Sequence, residues 1–323
     1  MTSVLIVTGA AGFIGCNLVA EVNRRGSSDM VLVDSLGTDE KWRNLVGLRF
    51  EDVVAPEDLW DWLRGRGPGS VSGIIHLGAC SSTTEADAEY LMRNNYRYTR
   101  RLCEWALDNS TRFIYASSAA TYGDGSSGFS DQDAVTERLA PLNMYGYSKH
   151  VFDLWALRNG LFDRIVGLKY FNVFGPYENH KGDMRSVVAK AHDEIRRTGK
   201  LSLFKSYREG TLDGEQRRDF IFVDDAVDIT LHFLADGTAS GLLNCGTGTA
   251  RTWIDLGTAV FSSLGLAPAI EFVDMPVPLR DKYQYFTKAD TGKLRAAGYA
   301  RKFATLEDGV EKYVRGYLAT RRP

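Results

Sequence analysis

Residues 4–15 read VLIVTGAAGFIG, and this stretch decides the fold. It begins with a wholly apolar, β-branched run, which is typical of a strand covered on both faces. A glycine-rich turn follows, and the pattern after it is helical to about residue 25. Such a turn lets backbone N–H groups approach a pyrophosphate at the N-terminus of the helix. The spacing of Gly9, Gly12 and Gly15 is one residue wider than the usual dinucleotide fingerprint, so a glycine turn without a ligand is the alternative interpretation.

The composition limits the classes of protein to consider. The chain has 323 residues, of which 44% are hydrophobic and 25% charged, as in soluble globular proteins with one large α/β unit or two lobes. The formal net charge of -2 gives no bias toward nucleic acid or an anionic membrane. No apolar run approaches the roughly 18 residues of a membrane span, and no signal peptide is expected. Scattered cysteines without a Cys-x-x-Cys pair predict reduced thiols in a cytoplasmic protein, and no metal site is expected.

Further apolar runs predict strands at 30–33, 48–52, 73–79, 111–116 and 165–170. Asp34 follows the first of these runs, about 20 residues past the glycine turn, where a carboxylate binds the ribose 2′-OH of a dinucleotide and argues for NAD. Lys41 instead suits a 2′-phosphate and favours NADP, with a solvated loop lysine as the alternative.

Polar residues follow several of these predicted strands. His76 ends an apolar run and is predicted to be a core histidine rather than a catalyst. The polar loop 80–85 comes next, at the edge of the sheet where substrate is expected. A helix predicted for 86–107 carries Asn94 and Asn95, and either amide is a candidate to support the site or the cofactor ribose.

Ser118, Tyr145 and Lys149 form the candidate catalytic group. Tyr145 and Lys149 lie in a proline-free stretch, 143–157, and positions i and i+4 of a helix share one face about 5–6 Å apart. A phenol is a poor base near neutrality because its ordinary pKa is about 10. We expect the neighbouring ammonium to lower that pKa. Ser118, after the strand predicted at 111–116, is placed to hydrogen-bond a substrate oxygen beside the phenol.

Together these motifs resemble those of the extended short-chain dehydrogenase/reductase superfamily: Gly9, Gly12, Gly15, Asp34, Ser118, Tyr145 and Lys149. The resemblance implies an α/β fold, with a doubly wound parallel (Rossmann) sheet and a smaller C-terminal α/β substrate lobe. It places the dinucleotide-binding domain at 1–172 with return segments near 220–248, and the substrate-binding lobe at 173–219 and 249–323. In that superfamily the tyrosine is the acid/base, the lysine fixes the cofactor ribose and lowers the tyrosine pKa, and the serine orients the substrate.

Longer blocks resemble one family of that superfamily, the ADP-L-glycero-D-manno-heptose 6-epimerases. The blocks are LGACSSTTE (77–85), YASSAATYG (115–123), PLN (141–143), YGYSK (145–149), YFNVFGP (170–176), HKG (180–182), RDF (218–220) and YQYFT (283–287). The resemblance implies an isomerase of lipopolysaccharide core precursor synthesis that acts on an ADP-heptose. It implies NADP as cofactor, with NAD as the alternative, and a homo-oligomer that is usually a pentamer.

The implied reaction epimerises an alcohol carbon that no neighbouring carbonyl activates, so plain deprotonation is hard. Transient oxidation at C6 to a ketone, followed by reduction from the other face, avoids that difficulty. The cofactor carries the hydride, and the protein supplies positioning and proton transfer. Because the two faces of the ketone are used in turn, we expect two residues that transfer protons. The resemblance assigns the second role to Lys181, opposite Tyr145, whereas such a loop lysine is often solvated or phosphate-binding.

The resemblance also carries over the binding residues. For the cofactor they are Gly9, Ala11, Gly12, Phe13, Ile14, Gly15, Asp34, Ser35, Lys41, Leu77, Gly78, Ala79, Ser81, Asn94, Tyr145, Lys149 and Val173. For the substrate they are Ser118, Asn172, Lys181, Asp183, Lys190, Phe204, Lys205, Ser206, Tyr207, Arg218 and Tyr283. Arg218 is the first choice for the diphosphate because a planar guanidinium binds two oxygens at once. Asp219 is expected to orient loops. Pro56 stands where some members have a basic residue for the NADP phosphate, which leaves that contact to Lys41.

Two other functions stay open. One is a UDP-hexose 4-epimerase or another nucleotide-sugar oxidoreductase with the same catalytic group. The other is a dinucleotide-sensing protein without activity, although such proteins typically lack the tyrosine or the lysine that this chain keeps.

The C-terminal part is predicted to contain strands at 221–223 and 242–245, helices at 252–264, 290–297 and 306–318, and a surface insertion at 209–216.

Overall fold

The computed structural model describes residues 3–66, 69–280 and 283–320. Its strands are β1 (Val4–Thr8), β2 (Met30–Val33), β3 (Asp52–Val54), β4 (Val71–His76), β5 (Arg112–Ser118), β6 (Val166–Tyr170), β7 (Asn172–Phe174), β8 (Leu201–Phe204), β9 (Arg217–Phe222), β10 (Gly241–Cys245), β11 (Ala250–Thr252) and β12 (Ile270–Val273). Its α-helices are α1 (Phe13–Arg24), α2 (Leu59–Arg64), α3 (Ala88–Leu91), α4 (Tyr98–Asp108), α5 (Asp133–Thr136), α6 (Met144–Arg158), α7 (Val187–Thr198), α8 (Val223–Ala235), α9 (Trp253–Ser263), α10 (Val277–Arg280), α11 (Gly292–Ala296) and α12 (Leu306–Tyr313). Short 3₁₀ turns lie at Glu40–Leu45, Ala119–Tyr122, Leu161–Asp163 and Asn179–Met184, and π-helical turns at Met92–Arg97 and Val314–Leu318.

Seven of the described strands form one parallel sheet in the order β10-β6-β5-β4-β1-β2-β3. In its centre Val7 of β1 lies between Leu32 of β2 and Ile75 of β4. The direction of winding reverses between β1 and β4, so a crevice opens there at the carboxyl ends of the strands. The predicted doubly wound α/β fold is therefore confirmed.

Helices cover both faces of this sheet because the strands are apolar on both sides. In β1, Leu5 and Val7 point into one core, which they share with α1 and α8. Val4 and Ile6 point into the other core, which they share with α2, α4 and α6. This alternation is the ordinary period of a strand, and it explains why the first strand shows no polar face in the sequence.

The C-terminal part contributes two smaller sheets. The first has the order β11-β9-β7, and the second pairs β8 with β12. The strands predicted at 221–223 and 242–245 were both expected to return to the dinucleotide-binding domain. Of the two, β10 joins the large sheet beside β6. Strand β9 instead pairs with β7 and β11 in a smaller sheet. The division into a domain at 1–172 and a lobe at 173–219 and 249–323 stays a prediction. No helix within the described ranges has the length and apolar character that crossing a membrane requires.

Two predicted elements differ from the structure. The strand predicted at 48–52 is wrong, because the third strand is β3, where buried Val54 pairs with Val33. Leu48 and Phe50 are partly buried against the core without joining the sheet. The helix predicted at 86–107 forms, but the π-helical turn Met92–Arg97 interrupts it between α3 and α4.

Candidate active site

The crevice between β1 and β4 contains a cavity of about 540 Å³. Its walls come from the glycine turn after β1, the segments that follow β4 and β5, the start of α6 and the turn Asn179–Met184. The predicted site residues that line it are Gly9, Gly12, Phe13, Ile14, Gly15, Asp34, Lys41, Leu77, Gly78, Ala79, Ser81, Ser118, Tyr145, Lys149, Val173 and Lys181. The structure thus brings the predicted catalytic group and most of the predicted cofactor residues to one cavity.

Close approaches in the turn after β1 explain its glycines. Gly9 has a φ of 67°, and a Cβ there would lie 2.7 Å from the backbone N of Gly78. A Cβ at Gly15 would lie 2.1 Å from the carbonyl O of Gly9. Helix α1 begins at Phe13, and no side chain caps its first N–H groups. The turn therefore presents bare backbone donors to the cavity, which fits the pyrophosphate of a dinucleotide.

Asp34 follows β2, and both of its carboxylate oxygens have donors. The backbone N–H of Ala11 donates to Oδ2 (2.8 Å), and the Lys41 ammonium donates to Oδ1 (2.8 Å). Ala11 thus positions the carboxylate, and Lys41 brings a positive charge to the same place. A second cavity of about 220 Å³ adjoins this pair, and its lining includes Ser35, Pro56 and Asn94.

His76 on β4 and Asn95 on the π-helical turn have structural roles. His76 is fully buried and hydrogen-bonds Thr8 Oγ1 (2.6 Å) and Thr99 Oγ1 (2.8 Å), as predicted for a core histidine. Burial, together with the smaller effect of the Lys149 charge, lowers the pKa of His76 to about 3. Asn95 bonds both backbone groups of Cys80 (2.9 Å each) and donates to Ser148 Oγ (3.0 Å). Asn95 therefore ties the polar loop after β4 to the middle of the catalytic helix.

Helix α6 brings Tyr145 against Ser118. Asn143 caps the helix by accepting a bond from the Gly146 N–H (2.8 Å). A Cβ at Gly146 would lie 2.7 Å from the carbonyl O of Ala120, so the helix start packs directly on the turn that follows Ser118. Tyr145 and Ser118 both line the cavity, and the serine hydroxyl is close enough to favour the phenolate form of Tyr145. The phenol and the serine hydroxyl are therefore neighbours, as the sequence predicts.

Burial decides the charge of both residues in the Tyr-x-x-x-Lys motif. Burial raises the pKa of Tyr145, and the nearby Ser118 hydroxyl opposes this rise only in part. The expectation that Lys149 lowers the tyrosine pKa is thus wrong for this structure. Lys149 is itself buried, and burial lowers its pKa to about 8, while the Asp153 carboxylate opposes the fall. Lys149 therefore remains mostly an ammonium at neutrality, and burial of the phenol itself is what raises the pKa of Tyr145.

Asp153 belongs to a buried polar network on the same helix. It accepts bonds from Tyr115 Oη (2.8 Å), Ser117 Oγ (2.7 Å) and the Lys169 ammonium (2.8 Å). Lys169 also donates to Thr121 Oγ1 (2.7 Å), and both members of the ion pair are fully buried. The network joins α6 to β5, β6 and the turn after Ser118, so it fixes the catalytic helix on the sheet.

Lys181 lines the same cavity from the turn Asn179–Met184. Its ammonium lies 5.5 Å from the ring centroid of Phe13, beside the glycine turn. Burial lowers the pKa of Lys181, and the Glu178 carboxylate opposes this change. A second proton-carrying group thus reaches the cavity from an element other than α6.

Arg218 is a buried guanidinium that is absent from the described cavity linings, but its neighbour Trp253 lines a further cavity. That cavity has a volume of about 280 Å³ and shares Val173 and Lys181 with the main one. Arg218 is 6% exposed, and its Cζ lies 5.7 Å from the ring centroid of Trp253 and 5.2 Å from that of Tyr283. Trp253 Nε1 donates to Tyr283 Oη (2.8 Å), which holds the two rings together. Among the ion pairs of the described residues none includes Arg218, and a buried cation in an aromatic frame suits an anionic ligand.

Several predicted substrate residues lie outside these cavities. Asp183 and Lys190 are exposed, and the Lys190 ammonium donates to the carbonyl O of Asp183 (3.2 Å). Lys205 and Tyr207 both bond Asp274 (3.0 Å each) on the outer side of the β8–β12 pair. Phe204 and Ser206 are also absent from the described cavity linings. By contrast Asn172 lines the 280 Å³ cavity, and Tyr283 is next to Arg218. The substrate roles of these residues stay predictions.

Known proteins resemble this chain in sequence and in fold. The model of the NAD dependent epimerase/dehydratase family matches residues 5–246. The chain belongs to this family. A relative from Nitratidesulfovibrio vulgaris (strain Hildenborough) is 54% identical over 98% of this chain and 99% of its own length, and its name is ADP-L-glycero-D-manno-heptose-6-epimerase. A relative of the same name from Fusobacterium nucleatum is 42% identical over 98% of both chains.

Solved structures of epimerases have the same fold. The ADP-L-glycero-D-manno-heptose-6-epimerase of Helicobacter pylori superposes with a TM-score of 0.82 at 26% identity, and the match covers 98% of this chain and 97% of that one. The UDP-glucose 4-epimerase of Thermus thermophilus, solved with NAD, gives a TM-score of 0.76 at 23% identity over 98% and 99% of the chains. At that identity the second likeness concerns the fold alone.

Sequence analysis missed three residues of this epimerase-type site: Asp153, Glu178 and Trp253. Asp153 follows Lys149 by four residues, so the i, i+4 spacing on a predicted helix was a usable signal. Glu178 and Trp253 act through partners distant in the sequence, which no local pattern reveals.

Proposed function

We propose that this chain is an ADP-heptose 6-epimerase, which interconverts ADP-D-glycero- and ADP-L-glycero-D-manno-heptose in the synthesis of lipopolysaccharide core precursors. The observation that carries the proposal is a single cavity that starts at a dinucleotide-type glycine turn and is lined by two proton carriers, Tyr145 and Lys181. The two relatives at 54% and 42% identity, both named for this activity, support it.

The proposed cofactor is NADP, with NAD as the alternative. The glycine turn fits a dinucleotide because side chains at Gly9 and Gly15 would collide with the backbone. Both carboxylate oxygens of Asp34 already accept a hydrogen bond, one from the Ala11 N–H and one from Lys41. The carboxylate therefore does not depend on a ribose hydroxyl as a donor. The Lys41 ammonium at that carboxylate has further donors for a 2′-phosphate, which favours NADP. When bound, the nicotinamide accepts the hydride of the sugar carbon and later returns it.

The protein residues would hold the sugar and move its proton. In the oxidation Lys181, as the neutral amine, would remove the hydroxyl proton. In the reduction Tyr145, which its raised pKa keeps protonated at neutrality, would donate its own proton to the ketone oxygen. Proton exchange with water would then restore both groups. In the reverse direction the roles exchange. The lowered pKa of Lys181 makes its neutral amine accessible as a base. Ser118 holds the reacting oxygen beside the phenol, and Lys149 holds the ribose of the cofactor.

The substrate diphosphate would bind at Arg218. A guanidinium takes two phosphate oxygens at once, and burial raises the strength of such a contact. Trp253 and Tyr283 frame the guanidinium and offer flat faces to the nucleotide. Asn172 and Lys181 then lie on the path from this subsite to the main cavity.

Two further properties are proposed from the family resemblance. We expect a homo-oligomer, in the form of a pentamer, and a cytoplasmic location. Size-exclusion chromatography with light scattering measures the first, and fractionation of cells measures the second.

The test of the activity is an incubation of the purified protein with ADP-D-glycero-D-manno-heptose, followed by NMR of the signals of the two C6 epimers. The proposal predicts that a mixture of the epimers forms from either pure epimer. No interconversion, together with turnover of UDP-glucose to UDP-galactose, would replace the proposal by a UDP-hexose 4-epimerase. The nucleotide released on denaturation identifies NADP or NAD by its mass.

A further inference from the structure

Glu178 is a buried carboxylate immediately before the turn that carries Lys181. It is 1% exposed, and its oxygens accept bonds from both the N–H and the hydroxyl of Ser186, at the other end of the turn. The Tyr313 hydroxyl donates to Oε1 of the same carboxylate (2.9 Å). The Lys181 N–H donates to the carbonyl O of Glu178 (3.0 Å). One carboxylate therefore closes the segment 178–186 and fixes it to α12.

The chain between these ends has few other attachments. No residue of Asn179–Met184 is fully buried, and Gly182 interrupts the turn with a φ of 51°. Arg185 Nε donates to the carbonyl O of Gly182, and the Lys190 ammonium donates to that of Asp183 (3.2 Å each). Further contacts of the turn are with the cofactor side of the cavity. Asn44 Nδ2 lies 3.2 Å from His180 Nδ1, and the Lys181 ammonium lies over Phe13. The place of Lys181 in the cavity thus depends on how Glu178 holds the two ends.

We propose that Glu178 positions Lys181 and sets its charge, so that Lys181 serves as both acid and base in the reaction proposed above. A group that alternates between the two roles must exist in both protonation states near the working pH. Burial by itself favours the neutral form of a lysine. The Glu178 carboxylate, next to the turn and held by three donors, favours the ammonium form.

The electrostatics around the turn agree with this role. Burial lowers the pKa of Lys181, and the Glu178 charge is the influence that opposes it. The other titratable groups that line the cavity are His180 on the same turn, Asp34, Asp39, Lys41, Cys80, Tyr145, Lys149 and Tyr170. His180 and Lys181 repel each other when both are charged, and burial, Lys41 and Lys181 together lower the pKa of His180. Removal of the Glu178 charge therefore leaves the fall in the Lys181 pKa unopposed.

The variant Glu178→Gln tests the proposal because it keeps the size of the side chain and removes its charge. The measurement is competitive labelling of the lysine amines with acetic anhydride over a range of pH, with mass spectrometry of the peptide that contains Lys181. We expect the labelling midpoint of Lys181 to move to lower pH, and kcat to fall between about tenfold and a hundredfold, with little change in KM. A midpoint equal to that of the wild-type protein would overturn the proposal.

Two further variants separate position from charge. Ser186→Ala and Tyr313→Phe each remove one hydrogen bond to Glu178 but keep its carboxylate. We therefore expect kcat to fall, while the labelling midpoint of Lys181 stays at its wild-type pH. Wild-type kcat in both would also overturn the proposal, and this holds even if Glu178→Gln does not fold. Glu311→Gln, which removes an exposed carboxylate of α12 paired with Arg315, is the control and should change neither quantity.

The labelling does not require substrate. A wild-type protein without epimerase activity would therefore refute the proposed reaction, while the midpoint of Glu178→Gln would still decide whether Glu178 sets the charge of Lys181.

Discussion

At the scale of single residues, Tyr145 and Lys149 show how burial changes the meaning of a motif. Their spacing predicts a shared helix face, and α6 provides it. The same spacing predicts a lowered tyrosine pKa, but burial raises the pKa of Tyr145 and lowers that of Lys149 to about 8. The sequence reveals the neighbours of a charged group along a helix, whereas its desolvation depends on every element packed around it.

Tyr145→Phe tests the acid/base assignment. The change removes one hydroxyl from the cavity, so we expect kcat to fall by about 10²–10⁴-fold, the usual contribution of a positioned proton carrier. Steady-state kinetics measures this loss, and the amount of nucleotide released on denaturation should not change. Tyr147→Phe, at a position on the same helix that is 48% exposed, is the matched control. Activity of Tyr145→Phe within a few-fold of the wild-type value would contradict the assignment.

Arg218→Lys tests the diphosphate subsite. A lysine keeps the charge but loses the planar pair of donors, and a buried ammonium is more easily neutralised. We expect the affinity for ADP to fall by about tenfold to a hundredfold, as measured by isothermal titration calorimetry. Arg217→Lys, at the exposed neighbouring position, should bind ADP like the wild-type protein. Equal losses in both variants would place the diphosphate elsewhere.

At the scale of elements, the start of α6 and the turn Ala119–Tyr122 act as one unit. Gly146→Ala would place a methyl group 2.7 Å from the carbonyl O of Ala120 in the present backbone, so the two elements must separate. This separation moves Tyr145 away from Ser118, and a misplacement of about 1 Å can lower kcat about a hundredfold. Kinetics of the variant measures the loss.

The control for that change is Gly237→Ala. Gly237 is exposed, and a Cβ there would meet no atom within 4 Å, so kcat should stay at the wild-type value. A Gly146→Ala variant as active as this control would show that the close packing does not position the catalytic group.

Sequence patterns predict the elements well where a single periodicity dominates. The strand of residues 4–8, the turn after it and the helix α6 follow from apolar runs, glycines and caps. The strand predicted at 48–52 is wrong because Leu48 and Phe50 are buried by the core beside the sheet, and a pattern of apolar residues does not distinguish these two cases. The π-helical turn Met92–Arg97 has the composition of an ordinary helix. No residue type in it therefore predicts the change from α-helical to π-helical backbone, which gives Asn94 and Asn95 different surroundings.

At the scale of the whole molecule, buried His76 links stability to pH. Its pKa is about 3 in the folded protein, whereas an unfolded histidine titrates near 6.5. Below pH 6.5 this histidine is protonated in the unfolded chain but stays neutral in the folded chain. The free energy of unfolding therefore falls as the pH falls. We expect this residue to contribute about 2 kcal/mol of destabilisation between pH 7 and pH 5. Urea unfolding at both pH values, for the wild-type protein and His76→Gln, measures it. An equal pH dependence in the two proteins would contradict the account.

The sequence predicted most of the cavity because glycines, strand ends and the Tyr-x-x-x-Lys spacing are local signals. The parts it could not predict depend on contacts between distant segments. Asp153 meets Lys169, Glu178 meets Tyr313, and Arg218 meets Tyr283 only in the folded chain. Conversely, Asp183 and Lys190 were carried over from the resemblance but lie outside the described cavities. Their substrate roles stay predictions, because a resemblance transfers positions in the chain and not the contacts of the side chains.

In the proposed reaction, one bound sugar is oxidised and reduced again at C6 without exchange of the C6 hydrogen with water. Substrate deuterated at C6, incubated with the enzyme in ordinary water, tests this most directly by NMR and mass spectrometry of the epimerised product. If the hydride is held by the cofactor between the two steps, the product keeps its deuterium at C6. Replacement of that deuterium by solvent hydrogen would instead show a deprotonation at carbon, and would contradict the account.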